Sequence, residues 1–165
     1  MTVQIDSREK PRAIEQILDH FRATGTTFFV SKLHLGDYMS LDRPRLVIDR
    51  KQSLGEVAAN FADGRRDKNG RYYSRFMNEM LEAERLGVQL VVLVEHGGRI
   101  RSIEDVQGWV NPRLAESPLA LSGERIYRKM LAYQRTYGVR WEFCDKRHTG
   151  ARILEILEAG YGDEQ

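Results

Sequence analysis

An α/β fold, with a mixed central β-sheet flanked by helices on both faces, is predicted by three observations. Segments of strand character alternate with segments of helical periodicity along the chain. Leu90-Val91-Val92-Leu93-Val94 is continuously apolar, as in a strand covered on both sides. Residues 38–48 read as a hairpin, which makes one pairing antiparallel where helix-linked strands favour parallel ones. A chain of 165 residues suits one such domain, expected over residues 1–160 and followed by a short acidic tail at 161–165.

Val3-Gln4-Ile5 alternates as a short strand and runs through Asp6 into the polar loop Ser7-Arg8-Glu9-Lys10. Pro11 suits a helix start; Ile14, Ile17, Leu18 and Phe21 recur at helical spacing, and Gly25 lies just past the end. Thr26 to Val30 is β-branched and aromatic, hence a strand. Tyr38 to Leu41 and Arg45 to Ile48 form the hairpin about Asp42-Arg43-Pro44. Leu54, Val57, Ala58 and Phe61 share a helical face, Asp63 to Gly70 reads as loop, and a longer helix carries Tyr73, Phe76, Met77, Met80 and Leu81 to Gly87. After strand 88–94 the chain is irregular as far as Ser122, apart from a short Ile103, Val106, Trp109 cluster. Ser122 caps a helix with Ile126, Met130, Tyr133 and Tyr137, Gly138 stops it, Val139 to Cys144 is a strand, and Thr149 is expected to cap a last helix with Ile153, Leu154 and Leu157.

Composition excludes several classes. At 41% apolar and 30% charged, with 4 Pro, the chain is neither collagenous nor low-complexity. Its longest apolar run is far short of the roughly 20 residues that span a bilayer, so no membrane partner is expected. The single cysteine, Cys144, forms no internal disulfide, and an intracellular protein, cytoplasmic or DNA-associated, is the default. A net charge of +2 is too small to imply a polyanionic partner, so any attraction for nucleic acid must come from local Lys and Arg clusters.

With Leu41 opposite Arg45, the hairpin register sets Asp37 opposite Asp49, and the two-residue pleat puts Lys51 on the face of Asp49. Two adjacent carboxylates require a compensating cation. Oxygen ligands without His or Cys favour Mg²⁺ or Mn²⁺, and the set suits phosphodiester hydrolysis. Arg50 points to the other side, where Glu9 or Asp6 can pair with it. On spacing alone, Asp49-Arg50-Lys51 reads more readily as the charged end of a strand, and Asp6, Arg8 and Glu9 as a loop bonded to its own backbone.

Ile5-Asp6-Ser7-Arg8-Glu9, Gly36-Asp37-Tyr38 and Ile48-Asp49-Arg50-Lys51 resemble the three motif blocks of the XPF-type nuclease domain of structure-specific DNA endonucleases. Gly70 to Ser74, Val91 to Glu95 and Arg140 to Leu157 also follow that domain's order. The resemblance implies a restriction-endonuclease-like core and Mg²⁺-dependent cutting of branched or flap-like DNA, in repair, recombination or replication. It makes Asp37 and Asp49 metal ligands, Lys51 the catalytic amine, and Asp6, Arg8, Glu9 and Arg50 the supporting groups. Two positions depart from the pattern: Asp49 stands for a Glu, and Gly55 for an Asp, with Glu56 one step later as either the replacement ligand or a helix first-turn acid. The family often adds a helix-hairpin-helix module, which this chain is read as lacking, so a homodimer or a DNA-binding partner is expected, with the apolar faces 126–137 and 153–157 as pairing surfaces or core. Two other functions remain open: a non-catalytic DNA-binding or scaffolding subunit, and a hydrolase of small phosphoesters.

Arg65, Arg66, Lys68, Arg71 and Arg75, with Tyr72 among them, form the best phosphate-contacting patch, although a solvated loop has similar composition. The four His residues are scattered, which argues against zinc.

Overall fold

The computed structural model describes residues 1–160; the acidic tail, 161–165, lies outside the described residues. Strand β1 (Thr2–Ile5) buries Val3 and Ile5 and crosses over through α1 (Pro11–Ala23) to β2 (Thr27–Val30), which lies parallel to it. The chain returns as the antiparallel pair β3 (Tyr38–Ser40) and β4 (Arg43–Lys51). Helix α2 (Leu54–Ala62) follows, capped by Ser53, whose Oγ accepts from the Glu56 N–H. A two-stranded ribbon, β5 (Gly64–Arg66) and β6 (Tyr72–Ser74), leads into α3 (Arg75–Leu86). Then come β7 (Gln89–Glu95), the short α4 (Ile103–Val106), α5 (Gly123–Tyr137), β8 (Arg140–Cys144) and α6 (Thr149–Ala159).

The main sheet has the order β2-β1-β3-β4-β7-β8. It is mixed as expected: β4, β7 and β8 run parallel, and β3 is antiparallel to both of its neighbours. Each face carries its own core. One holds Val3, Ile5, Ile48, Val91 and Leu93 under α1 and α6; the other holds Val47, Leu90, Val92, Val94 and Trp141 under α2, α3 and α5. β4 and β7 therefore alternate between two apolar layers, which is why β7 is continuously apolar. The same alternation continues into the charged end of β4, so Asp49 and Lys51 face the α2/α3 layer while Arg50 faces the α1/α6 layer.

Three details differ from the sequence reading. The inner hairpin register is the expected one, Tyr38 with Ile48 and Met39 with Val47, but Ser40 pairs with Arg43 across an irregularity, so Leu41 does not face Arg45. The segment read as loop from Asp63 to Gly70 contains β5, and Tyr73 lies in β6 rather than in α3. The ribbon is closed by Asp67, whose Oδ1 accepts from the Asn69 and Arg71 N–H groups at 2.8 and 2.9 Å. Thr149 is the first residue of α6, not its cap; its hydroxyl lies 2.9 Å from Glu95 Oε1. Of the two readings open for the apolar faces 126–137 and 153–157, core packing holds for Ile126, Met130, Ile153 and Leu157, which are buried in the two cores. No helix among the described residues is long and apolar enough to cross a membrane.

Candidate active site

The ends of β1, β4 and β7 and the loop before β3 meet at a polar cleft of about 290 Å³. At about 30 Å³ per water this is room for a hydrated cation and a phosphate group. Gly36 brings the chain in. Its φ is +70°, and a Cβ there would meet Ile48 O at 3.0 Å and Val47 Cβ at 3.2 Å, so only glycine allows this loop to pass so close to β4. Asp37 follows, with its N–H donating to Ile48 O at 2.7 Å and its Oδ2 accepting from the Arg50 N–H at 2.8 Å. Those contacts hold Asp37 beside Asp49. Burial, and then the charge of Asp49, push the Asp37 carboxyl up to about 8 despite the Arg50 hydrogen bond.

Lys51 Nζ lies 2.8 Å from Asp49 Oδ2, in an ion pair whose geometry is not that of an aligned hydrogen bond, and it donates to Asn60 Oδ1 at 3.2 Å. Burial disfavours its charge, but Asp49 and then Glu79 outweigh that, so the net shift is upward and the amine is held as ammonium.

On the opposite face of β4, Arg50 is the centre of a buried network. Its Nε and Nη2 donate to the two oxygens of Glu9 at 3.3 and 2.6 Å, and its Nη1 donates to Glu95 Oε1 at 3.1 Å. The side chains of Arg50, Glu9 and Glu95 are 2%, 8% and 3% exposed, so one buried guanidinium is the counter-charge for two buried carboxylates. Of the two expected partners, Glu9 is bonded to Arg50 and Asp6 is not. Asp6 instead accepts from the Leu33 N–H at 3.0 Å and pairs with Arg8, whose Nη2 donates to Leu33 O at 3.1 Å. The Asp6 N–H donates to Asp37 O at 2.8 Å. Asp6 and Arg8 thus shape the loop that carries Asp37.

Glu56 reaches the cleft rim, while Gly55 does not line it. Glu56 Oε2 accepts from the Gln52 N–H at 2.8 Å, a first-turn capping contact that engages one of its oxygens. Arg65 and Arg66 lie on β5, Lys68 in the ribbon turn, Arg71 just after it and Tyr72 on β6, all exposed or nearly so. Tyr72 Oη donates to Ala62 O at 2.6 Å, which leaves its ring on the surface. Arg75, the first residue of α3, lines both the acidic cleft and the neighbouring groove formed by Arg65, Arg66 and Tyr73. Four participants have no site role in the sequence reading: Glu79 in the cleft, Asn60 beside Lys51, and Glu95 and Thr149 behind Arg50. A signal existed for Glu79, which falls within the inward stripe of Phe76, Met80 and Ala83.

A divalent cation suits the donor set. The groups are oxygens only, two acidic side chains are held together against their mutual repulsion, and Glu79 Oε2 is buried without a hydrogen-bond partner. Among the described residues no three His, Cys, Asp or Glu side chains converge closely enough to ligate an ion together. Asp37 and Asp49 with water filling the other positions is the arrangement Mg²⁺ favours.

A family model for the ERCC4 domain matches residues 5–157. Among solved structures, XPF from Aeropyrum pernix is similar with a TM-score of 0.64 at 19% identity, over 96% of this chain and 64% of that one. XPF from Aeropyrum pernix in complex with DNA is similar with a TM-score of 0.62 at 20% identity, over 95% of this chain and 63% of that one. The chain therefore spans slightly less than two thirds of the length of these structures. No curated protein matches the sequence. The XPF-type resemblance and the fold expected from it are borne out.

Proposed function

This chain belongs to the ERCC4 domain family, and from that premise we propose that it is a metal-dependent DNA endonuclease acting on branched or flap-like DNA. The observation that carries this reading is the convergence of Asp37, Asp49 and Lys51 in one polar cleft at the end of β4. Further support comes from the similarity to an XPF structure that is in complex with DNA.

Asp37 and Asp49 would hold Mg²⁺ or Mn²⁺, which when bound supplies Lewis-acid polarisation of the phosphate and a lowered pKa for the attacking water. Lys51 sets a fixed positive charge beside Asp49, where it neutralises charge growing on phosphate oxygens during attack. Asn60 limits the directions the ammonium can take. Arg50, Glu9 and Glu95 act from behind, fixing the strand whose two faces must not rotate. Asp6 and Arg8 fix the Asp37 loop. The ribbon arginines and Arg75 receive the flanking backbone, a contact that reads phosphate spacing rather than base sequence. Pairing with a second copy or with a DNA-binding protein would add the grip that one small basic patch lacks, and a role in repair, recombination or replication accords with a branched substrate.

Incubation of labelled flap, fork, splayed-arm and duplex DNA with and without Mg²⁺ or Mn²⁺ tests the reading. Cuts near the junction are expected only with the ion, and Asp49→Asn and Lys51→Ala should each slow them by about 10²-fold or more. DNA that is retarded on a gel but never cut would overturn it in favour of a binding subunit. For the basic patch, Arg65→Ala and Arg75→Ala should each weaken DNA binding about equally on all sequences and lower the slope of log K against log salt by about 1. Fluorescence anisotropy between low and moderate salt measures both.

A further inference from the structure

The family pattern read from the sequence expects a third acidic group at the position of Gly55, and α2 does not supply one free of other work. Glu56 spends an oxygen on the Gln52 N–H. Glu79, on α3 and lining the same cleft, has the opposite character. Its Oε1 lies 3.7 Å from Arg75 Nε, a loose contact, and its Oε2 is buried with no hydrogen-bond partner among the described residues. A buried carboxylate oxygen in that condition is unfavourable unless a donor arrives. Asp49 and Lys51 both lie within reach of its charge: Asp49 pushes the Glu79 carboxyl up, second only to burial, and Lys51 opposes that. Glu79 is not close enough to Asp37 and Asp49 for all three to ligate one ion directly.

We propose, building on the cation-dependent reading above, that Glu79 is the third acidic group of the cation site, a positioning residue on α3 that accepts hydrogen bonds from the waters of an ion held by Asp37 and Asp49. It takes the part that an acid on α2 would have had, from α3 instead. Because α3 also begins with Arg75, the residue that orders those waters and the residue that meets DNA backbone sit one helical turn apart.

Mn²⁺ binding to the full chain, followed by the electron paramagnetic resonance of the free ion at about pH 8, tests this without reference to cleavage. Asp49→Asn should abolish binding, Glu79→Gln should weaken it about tenfold, as loss of a partner to a metal's ligand sphere does, and Glu56→Gln should leave it within about twofold. Glu79→Asp, which keeps the charge on a shorter arm, should recover part of the loss. Thermal unfolding without the ion verifies that each variant is folded. Unchanged affinity in Glu79→Gln, with binding still lost in Asp49→Asn, overturns this inference and leaves the nuclease reading standing. A larger loss in Glu56→Gln than in Glu79→Gln also overturns it, by placing the third acid on α2. Wild-type protein that takes up no Mn²⁺ at millimolar supply would remove the cation-dependent reading itself, and this inference with it.

Discussion

Asp37→Asn will raise the thermal stability of the ion-free protein at pH 8 while abolishing cleavage. The Asp37 carboxyl is pushed up to about 8 by burial and by Asp49, whereas in the unfolded chain it titrates near 4. Between those values the folded protein holds a proton that the unfolded chain has released. Each step up in pH therefore favours unfolding, and the loss is complete once pH passes about 8. Glu79, raised to about 7 by burial and then Asp49, acts in the same direction over the lower part of that window. Asp49 raises both groups, so the two losses overlap rather than add, and the Asp37 share is on the order of a few kcal/mol. Asn imitates the protonated acid and can still accept from the Arg50 N–H, so it removes the Asp37 share of the loss. In a chain of this size that corresponds to a rise of about 5–10 °C at pH 8 and to almost nothing at pH 4. Added Mn²⁺ should stabilise the wild type at pH 8, because the ion replaces the proton, and should do so far less in the variant. Calorimetry at the two pH values, in chelator and in Mn²⁺, gives all four numbers. A variant less stable than wild type at pH 8 in chelator would show that Asp37 is not the strained group.

The inner part of this site was legible in the sequence because β4 obeys the period of two. Alternation alone put Asp49 and Lys51 on one face and Arg50 on the other, and the hairpin placed Asp37 across from them even though its turn end is shifted at Ser40. Gly36 was visible as part of a motif, but the reason for it, the approach to Ile48 O, exists only in three dimensions. Glu95 and Thr149 were not legible, since each looks ordinary locally and acquires meaning only when β7 and α6 bring them behind Arg50. The β5–β6 ribbon was missed for a different cause. Its strands are short and polar, with no buried face to impose alternation, and only Asn69-Gly70 marked the turn.

Arg50→Met will be the most destabilising single change in the neighbourhood of the site, and its effect on cleavage will follow from loss of the fold. Methionine matches much of the volume but leaves Glu9 and Glu95 buried without a counter-charge; Glu95 Oε2 is already without a hydrogen-bond partner. Stripping one partner from a buried ion network costs about 3–5 kcal/mol, or roughly 10 °C of melting temperature in a chain of this length. Arg50→Lys should lose nearly as much, since a single ammonium cannot span Glu9 and Glu95 as the guanidinium fork does. The decisive comparison is the triple variant Arg50→Met, Glu9→Gln, Glu95→Gln. With no net charge left to bury, it should regain part of the lost stability, measured by urea unfolding at neutral pH. Below their melting temperatures Arg50→Met and the triple variant should still take up Mn²⁺, because Asp49 and Lys51 face away from the Arg50 side chain and Asp37 bonds only the backbone N–H of residue 50. A folded Arg50→Met protein that binds no Mn²⁺ would instead mean that Arg50, which with Glu9 also borders the cleft, reaches the chemistry directly through its guanidinium.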